Sequence, residues 1–99
     1  MNTFDDVYKL VSKIPPGKVT TYGVIAKKIG INNPRVVGYA LHANKNPDKV
    51  PCHRVVNKKG ELAKGYVFGG IGIQKKLLLN EGIEFTDDKI NLENYLYIF

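Results

Sequence analysis

Ninety-nine residues, 43% of them hydrophobic, suffice for one compact core and not for two. No run of about eighteen apolar residues occurs, so no membrane span is expected, and Met1–Asp6 is neither basic nor apolar as a secretory leader would be. The net charge of +6 is uneven: residues 86–99 hold three acids and one lysine, which leaves about +8 on the rest and favours a polyanionic partner such as nucleic acid.

Thr3, with Asp6 three residues on, reads as the N-cap of an amphipathic helix. Phe4, Val7, Tyr8, Leu10, Val11 and Ile14 form its core face, and Pro15–Pro16–Gly17 ends it. After a short extended link, Lys18–Val19–Thr20, Thr21 caps a second helix. Its apolar side is Val24, Ile25 and Ile29; Lys27 and Lys28 face water, and Gly30 closes it with a left-handed cap. Past Ile31–Asn32–Asn33, Pro34 occupies the first position of a third helix that buries Val36, Val37, Ala40 and Leu41. Two short helices across so brief a turn read as a helix-turn-helix or as a plain core pair; in the first case Arg35 can reach DNA from the start of the second helix.

Asn44–Lys49 is a polar loop. Val50–Val56 and Glu61–Leu62, on either side of a Lys58–Lys59–Gly60 turn, predict a strand pair or wing. Gly65–Gly72 holds four glycines with Tyr66 and Phe68 and reads as a mobile or close-approach loop; Ile71–Asn80 is helical again, closed by Glu81–Gly82. The expected fold class is therefore mostly α, a winged-helix-like helix-turn-helix domain with a small β-hairpin over residues 1–85, followed by an apolar tail over 86–99. That tail, with Leu92, Tyr95, Leu96, Tyr97, Ile98 and Phe99, either covers core surface or makes a dimer contact; the expected state is a monomer.

Cys52 is the single cysteine, so no internal disulfide can form, as befits a reducing cytoplasm or nucleus. With only His42 and His53 as companions it makes no structural zinc site, and neither metal nor other cofactor is expected. A lone cysteine is ordinarily a small buried hydrophobe. In Val50–Pro51–Cys52–His53–Arg54–Val55–Val56, however, it has a base and a cation adjacent in sequence, the two aids a thiol needs to become a thiolate nucleophile near neutral pH. Neighbouring side chains on a strand point apart, so a Cys52–His53 relay requires a turn or a bridging water.

Pro51–Cys52–His53–Arg54–Val55 matches the active-site motif of the O6-alkylguanine-DNA alkyltransferases, the methylated-DNA–protein-cysteine methyltransferases. Ile14–Pro–Pro–Gly–Lys–Val–Thr–Thr–Tyr–Gly23 resembles that family's lead into its helix-turn-helix, Arg35–Val–Val–Gly38 the start of its recognition helix, and Leu78–Leu–Asn–Glu–Gly82 its closing helix. The resemblance implies that Cys52 accepts the alkyl group, that His53 acts as its base through a water, and that Glu81 orients this relay. It further implies that Tyr22 contacts the extruded guanine and its leaving oxygen, that Asn44 braces the loop before the active site, and that Arg35 fills the space the flipped nucleotide leaves. The carbonyls of Cys52 and Val55 would read the guanine's exocyclic amine, and the glycine loop with Tyr66 would wall the alkylguanine pocket. The implied partner is double-stranded DNA containing O6-alkylguanine, entered from the minor groove, with no membrane involved; phosphate contacts would fall to Lys27, Lys28 and Lys45, each of which reads equally as solvated surface. Taken singly, Tyr22 is a core aromatic, Glu81 a surface acid at a helix end, and His42 an exposed residue.

Three departures from the family stand out. Most members carry an additional N-terminal domain that these residues lack. The short form resembles the alkyltransferase-like proteins, which bind alkylated DNA and recruit other repair factors without transfer, yet those usually have tryptophan where Cys52 stands. Gly65–Tyr66–Val67–Phe68–Gly69–Gly70 is one residue longer and bulkier than the family's Gly–Tyr–small–Gly–Gly. Three functions are thus in play: a single-turnover alkyltransferase, a non-catalytic lesion sensor, and a sequence-specific winged-helix factor with a structural cysteine.

Overall fold

In the computed structural model, which describes residues 3–62, 66 and 68–99, three helices form the first layer. Helix α1 (Thr3–Val11) begins at Thr3 itself and ends one turn earlier than the spacing predicts. Tight turns carry the chain on, with the Lys13 and Ile14 N–H groups on the Leu10 and Val11 carbonyls, so Ile14 still reaches the core. Helix α2 (Tyr22–Ile29) has both expected caps: the Thr21 hydroxyl accepts the Val24 N–H, and Gly30 closes the last turn at φ 80°. Helix α3 (Arg35–His42) starts one residue after Pro34, and the Asn33 side chain accepts the Arg35 N–H at 3.0 Å. The three pack on one another through Val7, Leu10, Val11, Ile14, Ile25, Ala26, Val37, Ala40 and Leu41, and α2 and α3 make the helix-turn-helix.

The predicted strand pair between Val50–Val56 and Glu61–Leu62 does not form. Cys52–Arg54 wind into a single 3-10 turn, which leaves only Val55–Val56 extended. That strand, β2, pairs in parallel with β1 (Thr20–Thr21), Thr20 opposite Val55 and Thr21 opposite Val56. The hairpin of the fold lies instead where the sequence reading placed tail: β3 (Phe85–Thr86) pairs antiparallel with β4 (Lys89–Ile90). Its two-residue loop, Asp87–Asp88, has φ of 51° and 60°, a left-handed pair that matches the twist of a tight hairpin and that aspartate tolerates.

Between these pieces runs α4 (Gly70–Asn80), and a last turn of helix, α5 (Leu92–Tyr95), precedes the C-terminus. Side chains alternate across a strand, so Val55 joins the three-helix core while Val56 joins a second cluster of Val19, Leu78, Ile83 and Ile90. The C-terminal residues are structural: the Val19 N–H donates to the Tyr95 carbonyl, the Tyr97 N–H to the Val19 carbonyl, and Tyr97 and Phe99 pack on the first core. Cys52 sits in the wall of that core, at the first position of the 3-10 turn. No helix among the described residues is long and apolar enough to cross a membrane.

Candidate active site and nucleic-acid interface

Pro51 and the 3-10 turn decide where the cysteine points. The turn is closed by the Arg54 N–H on the Pro51 carbonyl at 2.9 Å and by the Val55 N–H on the Cys52 carbonyl. It departs from the strand at the residues for which a strand would have sent neighbouring side chains apart. Cys52 is only 5% exposed. Burial pushes its thiol above the ordinary value, and a hydrogen bond from the Asn44 side chain partly offsets this. Asn44 is itself buried, a polar residue in a polar loop that nevertheless packs inward. Its Nδ2 donates to the Val50 carbonyl at 2.9 Å and its Oδ1 accepts the Asn46 N–H at 3.0 Å, so one carboxamide ties the end of α3 to the segment entering the active turn.

Behind the cysteine, Glu81 gathers three partners. His53 Nε2 lies 2.7 Å from Glu81 Oε2, the Arg54 guanidinium donates to both carboxylate oxygens at 2.8–3.1 Å, and the Gly17 N–H reaches Oε1 at 3.3 Å. Burial alone would raise the Glu81 carboxyl, but these donors outweigh it and hold the group below the usual carboxylate range. An ionised Glu81 offers only acceptors, so Nε2 of His53 is the donor in this contact, and the tautomer that makes it leaves Nδ1 as the nitrogen able to receive a proton. Glu81 is therefore not a solvated helix-end acid: its side chain is 14% exposed, like that of Arg54. Gly17 contributes through a backbone turned to φ 87°, where its N–H faces the carboxylate and a side chain would be strained.

Two tyrosines complete the enclosure. Tyr22, the first residue of α2, packs against the cluster that contains Cys52, and burial with the nearby cysteine pushes its phenol up to about 12. Tyr66 is buried, its ring meets Phe68 edge-on at 5.9 Å, and the same two causes push its phenol up to about 12. Both hydroxyls stay protonated at neutral pH and act as donors. The remainder of the expected pocket wall, Gly65 and Val67, lies outside the described residues.

Asn44, Cys52, His53, Glu81, Tyr22 and Tyr66 thus converge. Val55 is present through its backbone alone, its side chain being fully buried in the core. The Cys52 and Val55 carbonyls already accept bonds, from the Val55 N–H and from Gln74 Nε2 at 3.4 Å, and each keeps a second lone pair. Arg35 stands exposed at the first turn of α3, and Lys27, Lys28 and Lys45 are exposed on and beside the helix-turn-helix. No distance ties these four to the thiol. His42 is exposed in the last turn of α3.

Two further residues hold the site, one with a different partner than the sequence suggests and one that the sequence does not single out. Arg54 reads there as a cation aiding the thiolate, whereas its guanidinium is committed to Glu81 and to the Ile14 carbonyl at 2.8 Å. Gln74, 1% exposed on the buried face of α4, donates to the His53 carbonyl at 3.1 Å and so holds the backbone of the residue whose ring Glu81 holds. Its signal was a polar residue one turn before Leu78 on an otherwise apolar face.

Comparison with known proteins gives consistent matches. Residues 2–83 match the family described as 6-O-methylguanine DNA methyltransferase, DNA binding domain. The alkyltransferase-like protein 1 of Schizosaccharomyces pombe is 37% identical over 95% of this chain and 93% of its own length. A bifunctional methyltransferase/endonuclease of Picrophilus torridus is 35% identical over 98% of this chain, which spans only 32% of that protein. Among solved structures, S. pombe Atl1 in complex with damaged DNA containing O6-carboxymethylguanine superposes with a TM-score of 0.85 at 37% identity, covering 96% of this chain and 94% of that one. Mycobacterium tuberculosis OGT in complex with DNA follows at 0.75 and 36% identity, covering 83% of this chain and 49% of that one.

Proposed function

Because the chain belongs to the family of 6-O-methylguanine DNA methyltransferase DNA-binding domains, we propose that it binds duplex DNA containing O6-alkylguanine and takes the alkyl group onto Cys52. The observation that carries this reading is the cysteine in its setting: a buried thiol, one residue from a histidine whose ring is fixed by an ionised glutamate, in a turn whose entry the buried Asn44 ties down. A structural cysteine needs none of these groups.

The lesion is out of reach inside a base stack, so the damaged nucleotide is turned out, at a cost of a few kcal/mol for a weakened pair. Arg35, exposed at the start of α3, occupies the space it leaves, and the lysines of the helix-turn-helix neutralise phosphate. In the pocket the Cys52 proton passes through a water to His53 Nδ1, and the resulting imidazolium is stabilised by Glu81. The thiolate attacks the alkyl carbon in line; the S–C bond forms as the C–O6 bond breaks. Tyr22 donates to the guanine as charge develops on it, and the proton lost by the thiol finally resides on the restored base. The thioether has no route back, so each molecule acts once.

The match to an alkyltransferase-like protein along nearly the whole of both chains supports a second reading, a sensor that binds the lesion and leaves it in place for other repair proteins. Intact-protein mass spectrometry after incubation with an O6-methylguanine duplex separates the two. Transfer predicts one added methyl per chain, located at Cys52 and absent from Cys52→Ala, with the lesion lost from the DNA. Binding without an adduct would leave only the sensor.

A further inference from the structure

The outward face of α3 carries a side chain that the transfer chemistry does not use. Arg35, Gly38, Tyr39 and His42 follow at three- and four-residue steps and form one stripe, opposite the buried Val37, Ala40 and Leu41. Tyr39 is 61% exposed, and no ring partner or cation engages it among the described residues. Next to it, Gly38 has open space where a Cβ would stand, so the helix backbone is bare and a partner can come close. The stripe contains no acid, opens on a cation, and is followed by Lys45.

A cation, bare backbone and a flat ring with one polar tip make a surface suited to a nucleic-acid groove. Wide helices enter the minor groove only where the duplex opens and bends, and side chains that wedge beside a base step stabilise that bend. Four residues of helix advance about 6 Å, between one and two base-pair rises of about 3.4 Å, so a ring at position 39 meets a different step from the one at Arg35.

Resting on the DNA-binding reading above, we propose that Tyr39 is a second DNA-facing wedge, which packs its ring against sugar and base edges at the step beside the one Arg35 occupies. It thereby sets the bend of the duplex and the tolerance for flanking sequence. Pyrimidine–purine steps kink easily and A-tracts resist, so lesions next to a TA step are bound better than lesions next to an A-tract.

The test is titration of the full chain and its Y39A and Y39F variants into two O6-methylguanine duplexes, one with a flanking TA step and one with a flanking A-tract. Bending is read by energy transfer between end labels, and an undamaged duplex serves as reference. Tyr39 is exposed, so both variants should melt as the wild type does. Y39A is expected to weaken binding about tenfold, as loss of an aromatic–base contact does, to reduce the bend and to erase the preference for the TA flank; Y39F should stay within about twofold of wild type. Wild-type affinity, bend and flank preference in Y39A would overturn the proposal. Equal losses in Y39F and Y39A would place the contact in the hydroxyl and overturn the wedge. Failure of the wild type to bind any duplex would instead remove the DNA-binding reading beneath it.

Discussion

Cys52 is held away from water, and burial keeps its thiol protonated more firmly than in free cysteine. Transfer as proposed therefore requires a base and the groups that hold that base, Glu81 above all. Glu81 also stabilises the fold. Its carboxyl titrates lower in the folded chain than in the unfolded one; such a group contributes stability that is fully present above the unfolded value, roughly 4.3, and that is lost as pH falls through the folded value. Glu81→Gln removes the charge that Arg54 and His53 share. At neutral pH it should cost about 2–3 kcal/mol, the scale of hydrogen bonds to charged partners, and it should flatten the acid limb of the stability profile. Urea denaturation at neutral pH and again below the usual carboxylate range checks both. An unchanged acid limb in the variant would mean that another carboxylate controls it.

At the scale of elements, two helices position the site. Helix α4 ends where Glu81 caps it, and Gln74 two turns earlier grips the His53 backbone, so one rigid helix fixes both the ring and the carbonyl of that residue. Helix α2 begins at Tyr22, immediately after Thr21, which is both its cap and the strand residue opposite Val56. Loss of the cap loosens the pocket as well as the helix. Thr21→Ala should cost about 1 kcal/mol, the usual worth of a hydroxyl cap, measured as a shift of the urea midpoint. Methyl uptake should slow by more than this small loss of folded population explains, because Tyr22 is the residue released.

For the molecule as a whole, the C-terminal residues act as a strap. Leu92 and Tyr95 pack on the second cluster, Leu96 bridges to Val19, and Tyr97 and Phe99 return to the first. The strap thus links both cores along the free edge of β1, the strand that enters α2. A chain ending at Asn91 loses several half-buried side chains, each worth roughly 1 kcal/mol. Its thermal midpoint should fall by about 15 °C or more, given about 4–8 °C per kcal/mol for a chain of this size. A midpoint within a few degrees of the full chain would show the strap to be ornamental.

Local chemistry made much of this protein legible in its sequence. The α2 caps at Thr21 and Gly30, the apolar faces of α1 and α3, and the cysteine motif each depend on neighbours within a turn or two, so spacing alone located them. What the sequence could not supply was every relation across distance. The parallel pairing of Thr20–Thr21 with Val55–Val56 joins segments with no common turn, and the hairpin at Asp87–Asp88 was hidden in what read as tail. Likewise, Glu81 and Asn44 look like solvated polar residues until the fold buries them, and Arg54 looks like an aid to the thiolate until Glu81 claims it. The sequence by itself singled out the candidate nucleophile. Tertiary structure alone decided its environment, because burial and the choice among ion-pair partners are properties of elements packed together and not of any one stretch of chain.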